Sequence, residues 1–191
     1  MKKIHRKSVL HILVVLVGMA GGSQSFSSTI DSLTKTCAAC HGEKGVSNNG
    51  QWPNLAGQKS TYLADQLRAF KKGKRIDPLM GATARGLSEE EIVQLSTYYA
   101  SLTQDDTASA QAPNQAGKNI RARCISCHGM QGKTVNDQWP NINAQQKGYL
   151  QKQLMAFRDG SRHSEVMKVI VKDFNDQQIA DVAEYYSQLE P

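Results

Sequence analysis

Two pentapeptides carry the reactive side chains of this sequence. Cys37-Ala38-Ala39-Cys40-His41 and Cys124-Ile125-Ser126-Cys127-His128 each set two thiols and an imidazole at i, i+3 and i+4. On a helical turn those positions share one face. Two thiols presented this way can add to the two vinyl groups of a porphyrin while the adjacent histidine reaches the iron, which is the spacing of c-type haem attachment. The predicted covalent sites are therefore Cys37 and Cys40 for one haem and Cys124 and Cys127 for the other, with His41 and His128 as axial ligands. The same residues have other uses. A thioredoxin-like redox pair wants a βαβ setting, and no such pattern is found here. Zinc wants four nitrogen or sulfur ligands, whereas each half offers two cysteines and one histidine, and a four-cysteine site bridging the halves leaves both histidines idle. A disulfide suits an exported protein but gives the repeated histidines no task.

The remaining iron ligands are located by an internal repeat. Shifted by 87 residues, 37–102 falls on 124–189 without a gap, with 24 identities in 66 positions. Gln51-Trp52-Pro53-Asn54 lands on Gln138-Trp139-Pro140-Asn141, Ala69-Phe70 on Ala156-Phe157, and Tyr98-Tyr99 on Tyr185-Tyr186. The chain is a tandem duplication, and a period this long marks two domains, not a solenoid. Beyond the leader the methionines are Met80, Met130, Met155 and Met167, and only Met80 and Met167 share the offset. Each follows its motif histidine by 39 residues. A methionine is ordinarily core filling; the duplication makes Met80 and Met167 the predicted sixth ligands. His163 aligns with Ile76 and reads as a solvated histidine.

The elements that must position these groups are helical. Leu63, Gln66, Leu67 and Phe70 recur at helical spacing, with Gly73 as a stop. Ser88 and Glu91 form a capping box ahead of the stripe Ile92, Leu95, Tyr99, Leu102. Asn175 and Gln178 repeat the device ahead of Ile179, Val182, Tyr186 and Leu189. No stretch alternates as hairpin strands do. The predicted fold class is all-α. Its parts are a signal peptide over 1–25, an N-terminal domain over 26–102, a linker over 103–116 and a C-terminal domain over 117–191. The linker stretch is polar and small with a single proline, Pro113.

At the N-terminus Lys2, Lys3, Arg6 and Lys7 precede an apolar run from Val9 to Ala20 and then small residues. This is the pattern of a secretory signal peptide, cleaved after Gly22 or Ser25, and the apolar run falls well short of the ~20 residues that span a bilayer. An uncleaved anchor is the alternative. The net charge of +6 would suggest nucleic acid, but without 1–25 there remain 19 Lys and Arg against 17 Asp and Glu, a net of +2. The nucleic-acid class loses its main support. Apolar residues at 39% and charged residues at 21% fit a globular chain, neither disordered nor integral to a membrane. Two mostly polar halves of ~80 residues have thin cores, so something besides their own side chains is expected to help fill them.

The tandem motifs, the paired Trp-Pro-Asn segments, Ala-Phe-x-x-Gly-x-Arg ahead of each methionine and the paired tyrosines of the last helix resemble the dihaem cytochrome c4 family over essentially the whole mature chain. The resemblance implies two tandem class I cytochrome c domains and two covalent c-type haems. It implies an exported, periplasmic electron carrier, not an enzyme, taking electrons from a quinol-oxidising complex towards a terminal oxidase, with peripheral membrane association as an option. Two alternatives are a cytochrome subunit of a dehydrogenase complex and a dihaem peroxidase or thiosulfate dehydrogenase. The resemblance also matches Pro53 and Pro140 to a position whose backbone carbonyl holds the proximal histidine; a plain turn proline is the other reading. Trp52 and Trp139 would pack on or beside haem, an unrelated core being the other reading, while Arg75 and Arg162 would either pair with propionates or face solvent. The second half departs at Asn141-Ile142-Asn143-Ala144 and at Glu165-Val166-Met167-Lys168, so the two haem surroundings are expected to differ.

Overall fold

The computed structural model describes residues 24–104 and 112–191, with side chains from residue 30 onward. The signal peptide expected over 1–25 lies outside the described residues apart from Gln24 and Ser25, as do 105–111 of the connecting segment. The described residues form helices and turns and no strand. The first half contains α1 (Gln24–His41), α2 (Ser60–Lys71), α3 (Pro78–Arg85) and α4 (Glu89–Ser101). The second contains α5 (Gln115–Ile120), α6 (Ile125–His128), α7 (Lys147–Asp159), α8 (Glu165–Val171) and α9 (Asp176–Ser187). α5 takes in the last two residues of the segment 103–116; Asn114 caps it, accepting from the Gly117 N–H at 2.9 Å.

Each half has its own core. Leu63, Ala64, Leu87, Ile92, Leu95 and Tyr99 bury where α2 packs on α4. Leu150, Phe157, Val171, Phe174, Ile179, Val182 and Tyr186 do the same around α7 and α9. Ile92 and Ile179, 87 apart, are both wholly buried. The stripe works because the helices start where their caps put them. Ser88 accepts from the Glu91 N–H at 3.2 Å while the Glu91 carboxylate accepts from the Ser88 N–H at 2.7 Å. Asn175 and Gln178 close the same box at 2.9 and 3.0 Å. Reciprocal caps of this kind satisfy two of the donors a helix start leaves orphaned.

The first helices differ between the halves. A Cβ on Gly117 would lie 2.1 Å from the Asp181 carbonyl oxygen of α9, so only glycine allows that crossing. Its counterpart at the repeat offset is Ile30, which lies against the core as a partly buried side chain. The second half runs its first helix against its last at a closer approach.

The halves meet across a pseudo-twofold interface made largely of polar groups. The Asn54 N–H donates to the Gln145 side-chain oxygen at 2.7 Å, and the Gln145 amide returns a bond to the Asn54 carbonyl at 2.9 Å. The Asn141 N–H and Gln58 repeat this exchange at 2.8 and 2.9 Å. Tyr62 N–H reaches the Asp137 carbonyl at 3.1 Å, and Tyr149 N–H reaches the Gly50 carbonyl at 2.8 Å. Every one of these partners sits 87 residues from its equivalent. The contact is therefore isologous in form although one chain supplies both sides.

Candidate haem-binding site

His41 ends α1 and His128 ends α6. The next residue is Gly42 at φ 77° in one half and Gly129 at φ 81° in the other. A Cβ there would lie 1.8 Å from the Val46 carbonyl oxygen or 2.1 Å from that of Lys133, so the chain can turn back only at glycine. The turn carries the loop to Pro53 and Pro140. Their carbonyls lie 2.9 Å from His41 Nδ1 and 2.9 Å from His128 Nδ1. A carbonyl can only accept, so Nδ1 bears the proton and Nε2 keeps its lone pair. Both rings are buried, and burial pushes each imidazole below the ordinary histidine value even though the carbonyl bond works the other way. They are neutral at neutral pH, the form a metal ligand must have. The Pro53 and Pro140 carbonyls thus hold the rings, and the plain-turn reading is set aside.

The loop is laced to its motif as well. Ser47 and Thr134 donate their hydroxyls to the Cys40 and Cys127 carbonyls at 3.4 and 3.0 Å. Their own N–H groups are held by the side chains of Asn54 and Asn141 at 2.9 and 3.0 Å. All four cysteines are half-buried and none is joined to another in a disulfide. Burial raises the Cys37 thiol above its ordinary value and pushes Cys124 up to about 11. Among the described residues no three His, Cys, Asp or Glu side chains converge as a metal cage. The Tyr99 and Tyr186 hydroxyls stand beside Cys37 and Cys124, and Tyr186 Oη is buried without a hydrogen-bond partner. Burial drives both phenols well above the ordinary tyrosine value.

The methionines stand on short capped helices. Asp77 caps α3 and accepts from the Met80 N–H at 3.1 Å; Ser164 caps α8 and accepts from the Met167 N–H at 3.3 Å. Met167 and Cys124 lie against the same core cluster, and Cys37 lies against the other. Met80 is half-buried on α3, which packs on α2. His163 is exposed, 3.7 Å from Glu165, as a solvated histidine would be. Trp52 is half-buried, whereas Trp139 keeps 39% of its surface exposed.

Arg75 and Arg162 are found at the domain interface. The Arg75 guanidinium donates to Gln66 at 2.7 Å, Gln153 at 2.9 Å and the Tyr149 hydroxyl at 2.9 Å. Arg162 mirrors it on Gln153 at 2.7 Å, Gln66 at 2.8 Å and the Tyr62 hydroxyl at 3.0 Å. Each lies 4.5 Å over its own phenylalanine, Phe70 or Phe157. Two like charges share two neutral glutamines, and no carboxylate pairs with either among the described residues. Burial works against ionising Tyr149, but the facing Arg75 and Arg162 outweigh it and hold that hydroxyl below its ordinary value. A half-buried cationic pair without a counter-anion suits carboxylates from outside the polypeptide, and haem propionates are such groups. With two unbridged cysteines beside the histidine of each motif, a ring nitrogen left open in each half and this uncompensated charge, the residues fit haem.

These are tandem class I c-type cytochrome domains, and comparison with known proteins agrees. The cytochrome c family pattern matches residues 22–103 and again 115–190. Cytochrome c4 of Thiocapsa roseopersicina is 32% identical over 169 residues, covering 80% of this chain and 86% of its own. The thiosulfate dehydrogenase electron acceptor of Thiomonas intermedia is 32% identical over 166 residues, covering 78% and 76%. The structure of Acidithiobacillus ferrooxidans cytochrome c4 superposes with a TM-score of 0.75 at 30% identity, covering 82% of this chain and 99% of that one. The chain belongs to the cytochrome c family, and within it to the dihaem cytochromes c4. It carries two covalently attached c-type haems and is a dihaem electron carrier.

Sequence reasoning gave no interface role to Asn54, Gln58, Tyr62, Gln66 or their partners at +87. Their signal was available. They are polar identities within the repeat that no haem ligand explains.

Proposed function

We propose that Cys37 and Cys40 hold the N-terminal haem and Cys124 and Cys127 the C-terminal one. His41 and Met80 would hold the iron of the first, His128 and Met167 that of the second. The observation that carries this is the doubled bond from each histidine to a proline carbonyl, 2.9 Å in both halves, with a methionine 39 residues further on. Haem iron, when bound, supplies one-electron chemistry. The chain fixes each imidazole in the tautomer that leaves Nε2 free, keeps it neutral, and sets a thioether donor on a capped helix. A histidine and a methionine holding each haem iron would raise its potential. An iron held by both residues would offer no open place to a substrate, which favours outer-sphere transfer over turnover and a carrier over an enzyme.

The basic and apolar leader supports export, with the mature chain starting between Ser23 and Thr29 and working in the periplasm. There it takes electrons from a quinol-oxidising complex and passes them towards a terminal oxidase. A second reading, acceptance of electrons from a thiosulfate dehydrogenase, is favoured by the role that the Thiomonas relative's name gives it. Spectroelectrochemical titration of the purified protein tests the site assignment. Two one-electron waves, low-spin iron and no carbon monoxide binding are expected, with both haems staying on the polypeptide after acid–acetone extraction. Loss of either haem to the organic phase refutes the cysteine assignment. Reduction by purified thiosulfate dehydrogenase with thiosulfate, measured against reduction by native membranes with quinol, separates the two donors.

A further inference from the structure

We propose that Lys152, in the second half, is a positioning residue for Met80 in the first, acting across the domain interface through the Asp77 carboxylate. This rests on the reading of Met80 as an iron ligand. Asp77 uses its two oxygens in two directions. Oδ1 caps α3, accepting from the Leu79 and Met80 N–H groups at 3.1 Å each. Oδ2 faces the other half and lies 3.7 Å from Lys152 Nζ on α7. One carboxylate thus joins the backbone that carries Met80 to a cation of the opposite domain.

Lys152 is not the only brace on that segment. Tyr149 and Gln153 lie three residues before it and one after it on the same face of α7. Both accept from Arg75, at 2.9 Å each. Arg75 and Asp77 are two residues apart, so the chain entering α3 is gripped at two points by one helix of the other half. A Cβ on Gly148 would lie 2.8 Å from the Gly50 carbonyl oxygen, so α7 begins in direct contact with the first half.

The duplication supplies an internal comparison. Arg162 is held by Tyr62 and Gln66 just as Arg75 is held by their counterparts. At the repeat offset, however, Asp77 becomes Ser164, Lys152 becomes Asp65 and Gly148 becomes Thr61. Ser164 caps α8 through the Met167 N–H but carries no charge. Asp65 pairs instead with Arg68 of its own helix at 3.0 Å. Among the described residues the second grip exists only on the Met80 side.

A thioether is neutral and a weak donor. How well Met80 competes with an outside ligand therefore depends on how firmly α3 is held. The side chains of Lys152 and Asp77 keep 59% and 31% of their surface exposed, so their attraction is worth at most about fivefold in an equilibrium. The second domain in this way sets part of the first domain's hold on its methionine, with no such return.

The test titrates the ferric holoprotein with imidazole, which competes with methionine for haem iron, and follows the visible spectrum. Met80→Ala and Met167→Ala show which binding phase belongs to which half. Lys152→Ala is expected to raise the N-terminal affinity about twofold to fivefold and to leave the C-terminal phase unchanged. Lys152→Arg, which keeps the charge, should restore the wild-type affinity. Asp77→Asn keeps a capping oxygen and loses the ion pair. It should match Lys152→Ala, and the double variant should go no further than either alone. Amide hydrogen exchange at Leu79 and Met80 should quicken in Lys152→Ala by the same factor, and the mirror variant Asp65→Ala should move neither phase. An unchanged spectrum before imidazole is added shows that each ion-pair variant has folded with its haems. An unmoved N-terminal phase in Lys152→Ala, an equal rise at both haems, additive effects in the double variant, or unchanged exchange at the two amides overturns the proposal. Failure of the ligand assignment looks different: Met80→Ala would then leave both imidazole phases where they were.

Discussion

Truncating the two interface glutamines together, Gln58→Ala with Gln145→Ala, should uncouple the domains without unfolding either. Each amide makes two bonds across the interface, and its oxygen also accepts from the next residue's own N–H, Lys59 at 3.0 Å or Gln146 at 2.9 Å. The double variant loses four interdomain bonds, those of Gln145 with Asn54 at 2.7 and 2.9 Å and those of Gln58 with Asn141 at 2.8 and 2.9 Å. At a net of about 1 kcal/mol per bond the docked state loses about 4 kcal/mol. That is roughly a thousandfold in the docking equilibrium. Each single variant should cost about half, because the two exchanges are copies of one another. Scanning calorimetry of the holoprotein should turn one coupled transition into two, and electron exchange between the haems after flash reduction should slow. Lys59→Ala is the control. Its ion pair with Asp137 spans 3.9 Å and Asp137 is 74% exposed, so the effect should stay below about 0.5 kcal/mol. A double glutamine variant with an unchanged single transition and an unchanged exchange rate would show that these bonds do not hold the halves together.

Three further outcomes are expected from particular residues. Ala144 sits at φ 48° where its repeat partner Gly57 sits at φ 68°, so Ala144→Gly should stabilise the second half by about 0.5–1 kcal/mol in denaturant unfolding, the relief of left-handed strain less the added freedom of the unfolded chain; a neutral or destabilising result would refute the strain argument. The Glu91 carboxyl is held below its ordinary value of 4.5 by the backbone N–H of Ser88. Its contribution is therefore complete above that value and is lost as pH falls through the lower folded one, so the melting temperature should drop more steeply on acidification in wild type than in Glu91→Gln. The equivalent cap Asn175–Gln178 is neutral and its removal should show no such pH dependence. Met80→Ala or Met167→Ala should each give one high-spin, carbon monoxide-binding haem and leave the other unchanged, as read by difference spectra; no change in either would reassign the sixth ligand.

Local chemistry makes much of this protein legible from its residues. The Ser88–Glu91 and Asn175–Gln178 boxes are sequence-local, needing three residues of spacing and nothing else, and both form. The buried stripe through Ile92, Leu95 and Tyr99 reads directly from helical periodicity. Pro53 and Pro140 came from family resemblance, because a carbonyl twelve residues from its histidine has no periodic signature. Arg75 and Arg162 show the limit. Their sequence says that a guanidinium wants an acceptor, but the acceptors Tyr149 and Tyr62 lie in the opposite half. Only the packing of one copy on the other brings them within 3.0 Å. The same holds for Gly117, whose reason lies in the Asp181 carbonyl of a helix over sixty residues away.

The polar, self-matching contact between the halves has a consequence for how the two copies stay together. Free domains meeting through hydrogen bonds of net ~1 kcal/mol each would have to offset the translational and rotational freedom lost on association. Joined in one chain, they meet at an effective concentration in the millimolar range, set by the connecting segment and not by how much protein the compartment holds. A weak interface is then enough to keep the pair closed, and each copy of the sequence is released from the demand that it match itself. Ala144 could replace a glycine, and Asp77 and Lys152 could meet on one side of the interface alone, without disturbing the other. Tethering let one duplicated unit become a molecule with two different ends.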